Sequence, residues 1–589
     1  MAFNTSFYVP GVGRSNRDLS TTRTFSTTPG VITPFWHRVT RPGDRWKLSA
    51  QQGIETLPLQ APLLSTFRSR IAFFWLSWRA LNPNLHFNAG TIDPSSVTFP
   101  YYLRSQHLIG TNGVPFVTVQ HFNLGSTLPT SPNSNIYSTC VTHPSSLENY
   151  LYYTAGTGHW GVLPSSENPT PEHGLQDYSK KMRVSGGPLV TYLSCVFHWY
   201  SNWQMEDTRF IDYSGSQGTA TAKATTPYAA SMPLSVLSQY LLSVGLNSTP
   251  GDLQSLVPFN GPVPQANLTR FFNTMGYGRF GGLFLCPYAS DYLTSFTSTA
   301  NRARAVSAGT IDVSGGTFSI DTFIGTEKIQ RFLQLGFFGA SGFRDWVYAQ
   351  FGVTPSADLG VPSCLGFSDL YVDFNAVVAT SSDGLGDLGG RGSASGSFRR
   401  RKWHFEEFGT LMGLHTLVPI VSYDAPQLLE DRVFTLKDFG APALDRIAWQ
   451  PLLRRQFTTA PVYPNASVFD TTETTWTSAS GFDWTDLDRI VGYQPAWSEY
   501  TSDIPVSYGS VAAHGSLNHW MLARSFSPEF LTTSAGNQNP TFNPIDNVLP
   551  WLYNRPFVDT SANAANFLVQ IKLNVQVARS ISKNPIPKV

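Results

Sequence analysis

The sequence predicts an all-β-dominated chain, a sandwich of Greek-key or jelly-roll type with long loop insertions and a few short helices. Two observations carry this. Phe567 to Val577 alternates with a period of two: Phe567, Val569, Ile571, Leu573, Val575 and Val577 share one face, and Leu568, Gln570, Lys572, Asn574 and Gln576 share the other. This strand lies almost at the C-terminus, so its ladder partners must come from far earlier in the chain. The other clear strand patterns sit near the N-terminus, with loop-like sequence filling much of the middle and no internal repeat. One sandwich with inflated connections fits this better than separate beads.

In chain order, residues 1–29 are polar, carry Arg14, Arg17 and Arg23, and show no period. They read as an extended arm, ordered only when laid on a partner. Residues 30–589 read as one domain. Val31–Val39 is a β-branched and aromatic strand, with Pro34 marking an edge or bulge. Arg41-Pro42-Gly43-Asp44 is a turn signal, and Trp46–Ile54 is the next strand. Leu57–Leu64 carries Pro58 and Pro62 and must be irregular. Phe67–Leu81 is apolar on both faces around Ile71–Leu76, which requires cover on both sides. Residues 82–187 are loop-like. Pro188–Trp203 is a buried helix or a strand. Pro233–Val244 and Ser341–Phe351 have helical stripes, closed by Gly245 and Gly352. Leu370–Val378 is a strand, Ser381–Ser397 a glycine-rich linker, and Leu411–Tyr423 a buried strand with Gly413 and Pro419 marking a bulge or edge. Residues 424–560 read mostly as loops.

The 589 residues exceed what one compact core usually holds, roughly 250–300 residues, so large insertions or several domains are required. Only 13% of residues are charged, about half the roughly 25% usual for soluble domains, while 14% are aromatic. Such a neutral, aromatic surface suits burial against other subunits; a secreted β-protein with a neutral surface is the alternative. The net charge of +1 gives no global field for nucleic acid. The longest apolar run is far short of a membrane span, so no membrane insertion is expected. Cys140, Cys195, Cys286 and Cys364 are widely spaced and read as free thiols.

No motif carries catalysis, a cofactor or a metal. Three GxGxxG matches begin at Gly156, Gly276 and Gly384, and none opens a helix, so none forms a phosphate loop. HExxH, Walker lysine and GxSxG patterns are absent. Asp483, Asp486 and Asp488 lack the spacing of a calcium loop. One basic run stands out, Arg399-Arg400-Arg401-Lys402-Trp403. Four cations beside an aromatic suit phosphate contact with base stacking; a solvated loop flank after the glycine linker is the other reading.

The chain resembles the major capsid proteins of microviruses, in particular the gokushovirus branch. The resemblance begins with Thr24-Phe25, Gly30, Pro34 and Pro42-Gly43-Asp44. It continues through Phe73-Phe74-Trp75 with Arg79, Cys286 with Asp291-Tyr292-Leu293-Thr294-Ser295, and Phe351-Gly352-Val353-Thr354. Phe405, Glu407 and Gly409 follow, then Gly492-Tyr493-Gln494-Pro495 with Glu499-Tyr500, His519-Trp520 with Ala523-Arg524, and the closing strand with Pro585 and Pro587. It departs from that pattern at Ser580-Ile581-Ser582, where the family carries proline and methionine. The resemblance implies a single eight-stranded jelly roll of two antiparallel sheets, self-assembled into a T=1 icosahedral shell around circular single-stranded DNA. It implies residence in the virion after assembly in the host cytoplasm. It also implies a small basic DNA-binding protein, a pilot protein, a scaffolding protein and a host cell-surface receptor as partners. A three-fold protrusion meeting the host would fall within 205–325. The competing readings are a carbohydrate-binding or glycan-cleaving β-sandwich and a phage receptor-binding protein.

Overall fold

The computed structural model describes residues 14–80, 101–103, 147–152, 183–200, 283–298 (save 296), 362–378, 388–459 (save 425, 437 and 441–448), 487–524 (save 489 and 513–515) and 548–580 (save 549 and 561–563). Five strands come first: β1 (Ser15–Asp18), β2 (Thr21–Thr27), β3 (Thr33–Thr40), β4 (Arg45–Thr56) and β5 (Phe67–Ser77). Three short ones follow, β6 (Tyr101–Leu103), β7 (Arg183–Ser185) and β8 (Thr297–Ser298). Then come the long β9 (Ser363–Val378) and β10 (Leu388–His404), and β11 (Gly409–Pro419). β12 (Ser422–Asp424), β13 (Trp449–Leu453), β14 (Ile490–Pro495), β15 (Val506–Ser507) and β16 (Ala523–Arg524) are short, and β17 (Phe567–Arg579) is the last strand described.

The main sheet is antiparallel and has nine strands in the order β1-β17-β4-β10-β9-β5-β11-β3, with β2 also on β17. Its last-described strand is therefore central, held between the N-terminal strands on one side and β4 on the other. β9 serves two ladders. Ser363–Val372 pairs with β5, and Asp373–Val378 pairs with β10. The sheet curls at this passage, and its two halves face one another across one core. Phe67 of β5 meets Phe567 of β17 at 5.0 Å between ring centroids, Phe73 meets Phe398 of β10 at 5.0 Å, and Trp36 of β3 meets Trp46 of β4 at 6.2 Å. Each inward residue of β17 from Phe567 to Val577 is at most 1% exposed. Burying such a side chain contributes about 1.5–3 kcal/mol before conformational entropy is counted.

The turn before β4 follows the residues that predict it. Pro42 sets φ at the first central position and Gly43 takes φ +81° at the second. Asp44, 1% exposed, then accepts from Arg579 Nε at 2.9 Å and Trp46 Nε1 at 3.3 Å, so the turn fastens the end of β17.

Helix α1 (Leu147–Tyr150) and helix α2 (Gly187–Trp199) cover the outer side of β3 and β11. α2 makes the aromatic segment a helix as far as Trp199, with Pro188 in its first turn and Leu189 to Val196 buried all round; 201–203 lie outside the described residues. Tyrosine hydroxyls satisfy carbonyls where β2 and β3 would otherwise present open edges: Tyr150 donates to Ser26 O, Tyr152 to Phe35 O and Tyr192 to Ile32 O.

Two expectations are corrected. The second half of the supposed arm is not laid on a partner, because 15–18 and 21–27 are strands on β17 of the same chain. The glycine-rich linker 381–397 is strand β10 from Leu388 onward. Crowding, not flexibility, accounts for Gly392, where a Cβ would lie 2.6 Å from Phe374 and 2.8 Å from Thr56. Residues 283–286 are buried in the core, with Leu285 bridged to Val31, so a protrusion within 205–325 would have to lie elsewhere in that range. The rest of 205–282, both helical stripes at 233–244 and 341–351, and Cys140 lie outside the described residues. Cys195 and Cys286 are buried free thiols, and burial pushes the Cys286 thiol up to about 12.

His415 of β11 is fully buried between the sheet halves, with Nε2 2.8 Å from Ser69 Oγ. Burial pushes its pKa down to about 3. The unfolded chain, near 6.5, therefore takes up the proton first as pH falls. Stability is complete above about pH 6.5 and declines below it, by about 1.4 kcal/mol per pH unit from this residue. Urea melts at pH 7 and pH 5 should show about 2 kcal/mol more loss in the wild type than in His415→Gln. Equal losses would rule out His415 as the source.

Candidate nucleic-acid interface

The predicted basic run lies on β10. Arg399, Arg400, Arg401 and Lys402 are all exposed. A β-bulge sits among them: Phe398 pairs with Ala50 and Arg401 with Leu48, so three steps on β10 oppose two on β4. A bulge re-aims the side chains beside it. Arg400 Nη2 reaches over β4 and donates to Gln576 Oε1 on β17 at 2.8 Å.

Trp403 does not join them. It is half-buried, pairs in register with Trp46, and has its ring 6.0 Å from that of Phe73. The expected base-stacking role for Trp403 is therefore corrected: its ring belongs to the core.

The outward residues of β17, β4 and β10 form a grid, because cross-strand partners share a face. One row is Asp18, Gln576, Lys47 and Lys402; the next toward the strand ends holds Ala578, Arg45 and His404. In the other direction come Asn574 with Ser49, then Thr22, Lys572, Gln51 and Ser397. Arg45, Lys47, Arg400, Lys402 and Lys572 thus stand on one exposed face, with amides and hydroxyls between them.

Lys47 and Lys402 stand directly opposite each other, an arrangement that destabilises a sheet unless an anion lies nearby. The carboxylates close to the face are largely engaged. Ser20 donates to Asp18 through its backbone N–H at 2.9 Å, and hydrogen bonds from Ser20 lower the Asp18 pKa. Asp44 holds Arg579, and Glu55 at the far end holds Arg391 at 2.7 Å. Successive rows on a strand face are about 6.6–6.8 Å apart, close to the phosphate spacing of an extended single strand. The cationic end can therefore neutralise successive phosphates without reading bases.

Sequence reasoning missed Arg45, Lys47 and Lys572. The signal was present: the same alternation that buries Trp46, Leu48 and Leu573 puts these three outside. A second polar centre lies away from this face. Tyr423 donates to Asp291 Oδ2 at 2.6 Å, and Arg524 lies over the Tyr288 ring at 4.3 Å. Among the described residues no cluster of three His, Cys, Asp or Glu side chains could hold a metal, and no helix is long and apolar enough to cross a membrane. No protein-family profile matches the chain, and no curated protein sequence matches it significantly.

Proposed function

We propose that this chain is the major shell subunit of a microvirus-like capsid, an eight-stranded jelly roll whose cationic sheet face meets a single-stranded DNA genome. The strand order carries the reading. With β1 and β2 taken as one interrupted edge strand, the two halves run β2-β17-β4-β10 and β3-β11-β5-β9. Numbered as eight strands in sequence, these are 1-8-3-6 and 2-7-4-5, the order that two interleaved Greek keys produce.

Segments that carry the sequence resemblance also meet in space, which supports it further. Trp75 packs on Phe405 at 5.5 Å, and a Cβ on Gly409 would strike the Trp75 ring. Arg79 pairs with Glu407. Gln494 Nε2 donates to Tyr292 OH at 3.2 Å. Large apolar side chains left exposed on the single chain, Phe434 at 80% and Leu436 at 88%, suit burial against sister subunits. Subunit contacts that close on a point group yield a finite shell. In this reading the remaining partners are a small basic DNA-binding protein, a pilot protein, a scaffolding protein and a host receptor, and the chain resides in the virion.

Electron microscopy and light scattering of the purified protein test this. The expected result is discrete shells or capsomers. A monomer at every concentration, retaining a glycan, would transfer the chain to the carbohydrate-binding class; trimers without shells would point to a receptor-binding protein.

A further inference from the structure

Beyond the cationic rows, the same outward face sinks into a trough. One row there is Thr24, Gln570, Gly53 and Ser395; the next is Ser26, Leu568, Glu55, Ser393 and Asp373. All of these positions but Ser26 line a cleft at the point where β9 leaves β10 for β5, with Tyr371 on its wall. The floor carries nothing larger than serine at Gly53, Ser393 and Ser395. Tyr371 is 53% exposed and Leu568 45% exposed, so both can offer an apolar surface.

Gly53 is the informative residue. Glycine inside a strand destabilises it, and it usually marks a bulge, a positive φ or a close neighbour. None of these applies here. The β4 register on β17 and β10 runs unbroken through Gly53, its φ lies outside the left-handed region, and a Cβ there would meet nothing nearer than Gln570 O at 4.0 Å. Gly392 on the neighbouring strand is the contrast, being crowded on two sides. Neither backbone nor packing requires the missing side chain at Gly53; a ligand lying on the strand would.

We propose that the trough over Gly53 is a base-binding subsite, taking one nucleobase of a single-stranded polynucleotide flat above Gly53, between Tyr371 and Leu568. This rests on the reading of the face as a nucleic-acid interface. Lys572 stands one row away, about 6.6–6.8 Å, within the reach of the phosphate of the same nucleotide. The carboxylate of Asp373 lies in the second row and accepts from an exocyclic amino group, which favours cytosine over thymine. The stacking surface that Trp403 does not offer is supplied by Tyr371.

Fluorescence anisotropy with three labelled oligomers of equal length and charge tests this: oligo-dC, oligo-dT and an abasic strand. Wild type should bind oligo-dC tighter than the abasic strand by at least about fivefold, the low end for base–aromatic stacking, with oligo-dT between them. Gly53→Val, for which there is room and which suits a strand, should stay folded, bind the abasic strand as before, and bring that ratio to about one. Tyr371→Leu should lower the ratio in the same direction. A wild-type ratio near one, or a ratio that Gly53→Val leaves intact, overturns the subsite while the cationic interface stands. Failure of wild type to bind the abasic strand overturns the interface and the subsite together. Binding of a neutral oligosaccharide that Gly53→Val abolishes assigns the trough to carbohydrate and overturns the subsite.

Discussion

Leu573→Asp is expected to leave no soluble folded protein. Leu573 is 1% exposed on the inward face of β17, between Ile571 and Val575, which are also buried. Its strand is central, paired with Thr21 of β2 on one side and Ala50 of β4 on the other. Neither opposed residue is a cation, and Arg23, one row away opposite Ile571, lies over the Tyr152 ring at 5.1 Å, so a carboxylate at 573 would be buried with no partner directly across the ladder, at a cost of more than about 4 kcal/mol. Net stabilities are only about 5–15 kcal/mol, and loss of the leucine's own burial adds to the cost. Asn574→Asp is the matched control. One residue along, the side chain faces outward and is exposed, so the same charge should be tolerated. Soluble yield and circular-dichroism melts of the two variants read the difference. Equal behaviour would mean that the two faces of β17 have been assigned the wrong way round.

The contrast between those neighbours was legible in the sequence because a half-buried strand writes its environment in alternate residues. β17 and β4 are both of this kind, and so is the turn at Pro42-Gly43, where each residue's backbone preference coincides with its place. β10 was illegible for the opposite reason. Gly392 and Gly396 are crowded by Phe374, Thr56 and Leu370, residues remote in sequence, so local propensity read a linker where packing builds a strand. The segment around α2 was ambiguous because a helix buried all round loses its 3.6-residue stripe.

The site was half legible in the same sense. A run of four cations is visible to any reading of the chain. The direction in which Trp403 points is set by the bulge after Phe398 and by the register with Trp46, and neither is local information. Lys47 and Lys572 become partners of Lys402 and Arg400 only when strands hundreds of residues apart are laid side by side.

Replacing Lys47, Arg400, Lys402 and Lys572 together by Gln should weaken binding of single-stranded DNA by about 10²-fold at roughly 0.15 M salt, because each lost phosphate contact removes about 0.7 from the slope of log K against log salt. Four contacts lower that slope by about 2.8. These side chains lie on the outward face, so the fold should persist. Relief of the opposed Lys47–Lys402 pair should also make the DNA-free variant slightly more stable than wild type, by up to about 1 kcal/mol. Trp403→Leu should behave in the reverse manner, lowering the melting temperature through lost contact with Phe73 while leaving the salt slope unchanged. Salt-dependent anisotropy and thermal melts on the same preparations separate the two. An unchanged salt slope in the fourfold variant would remove the cationic rows from DNA binding, and a reduced slope in Trp403→Leu would return that ring to the nucleic acid.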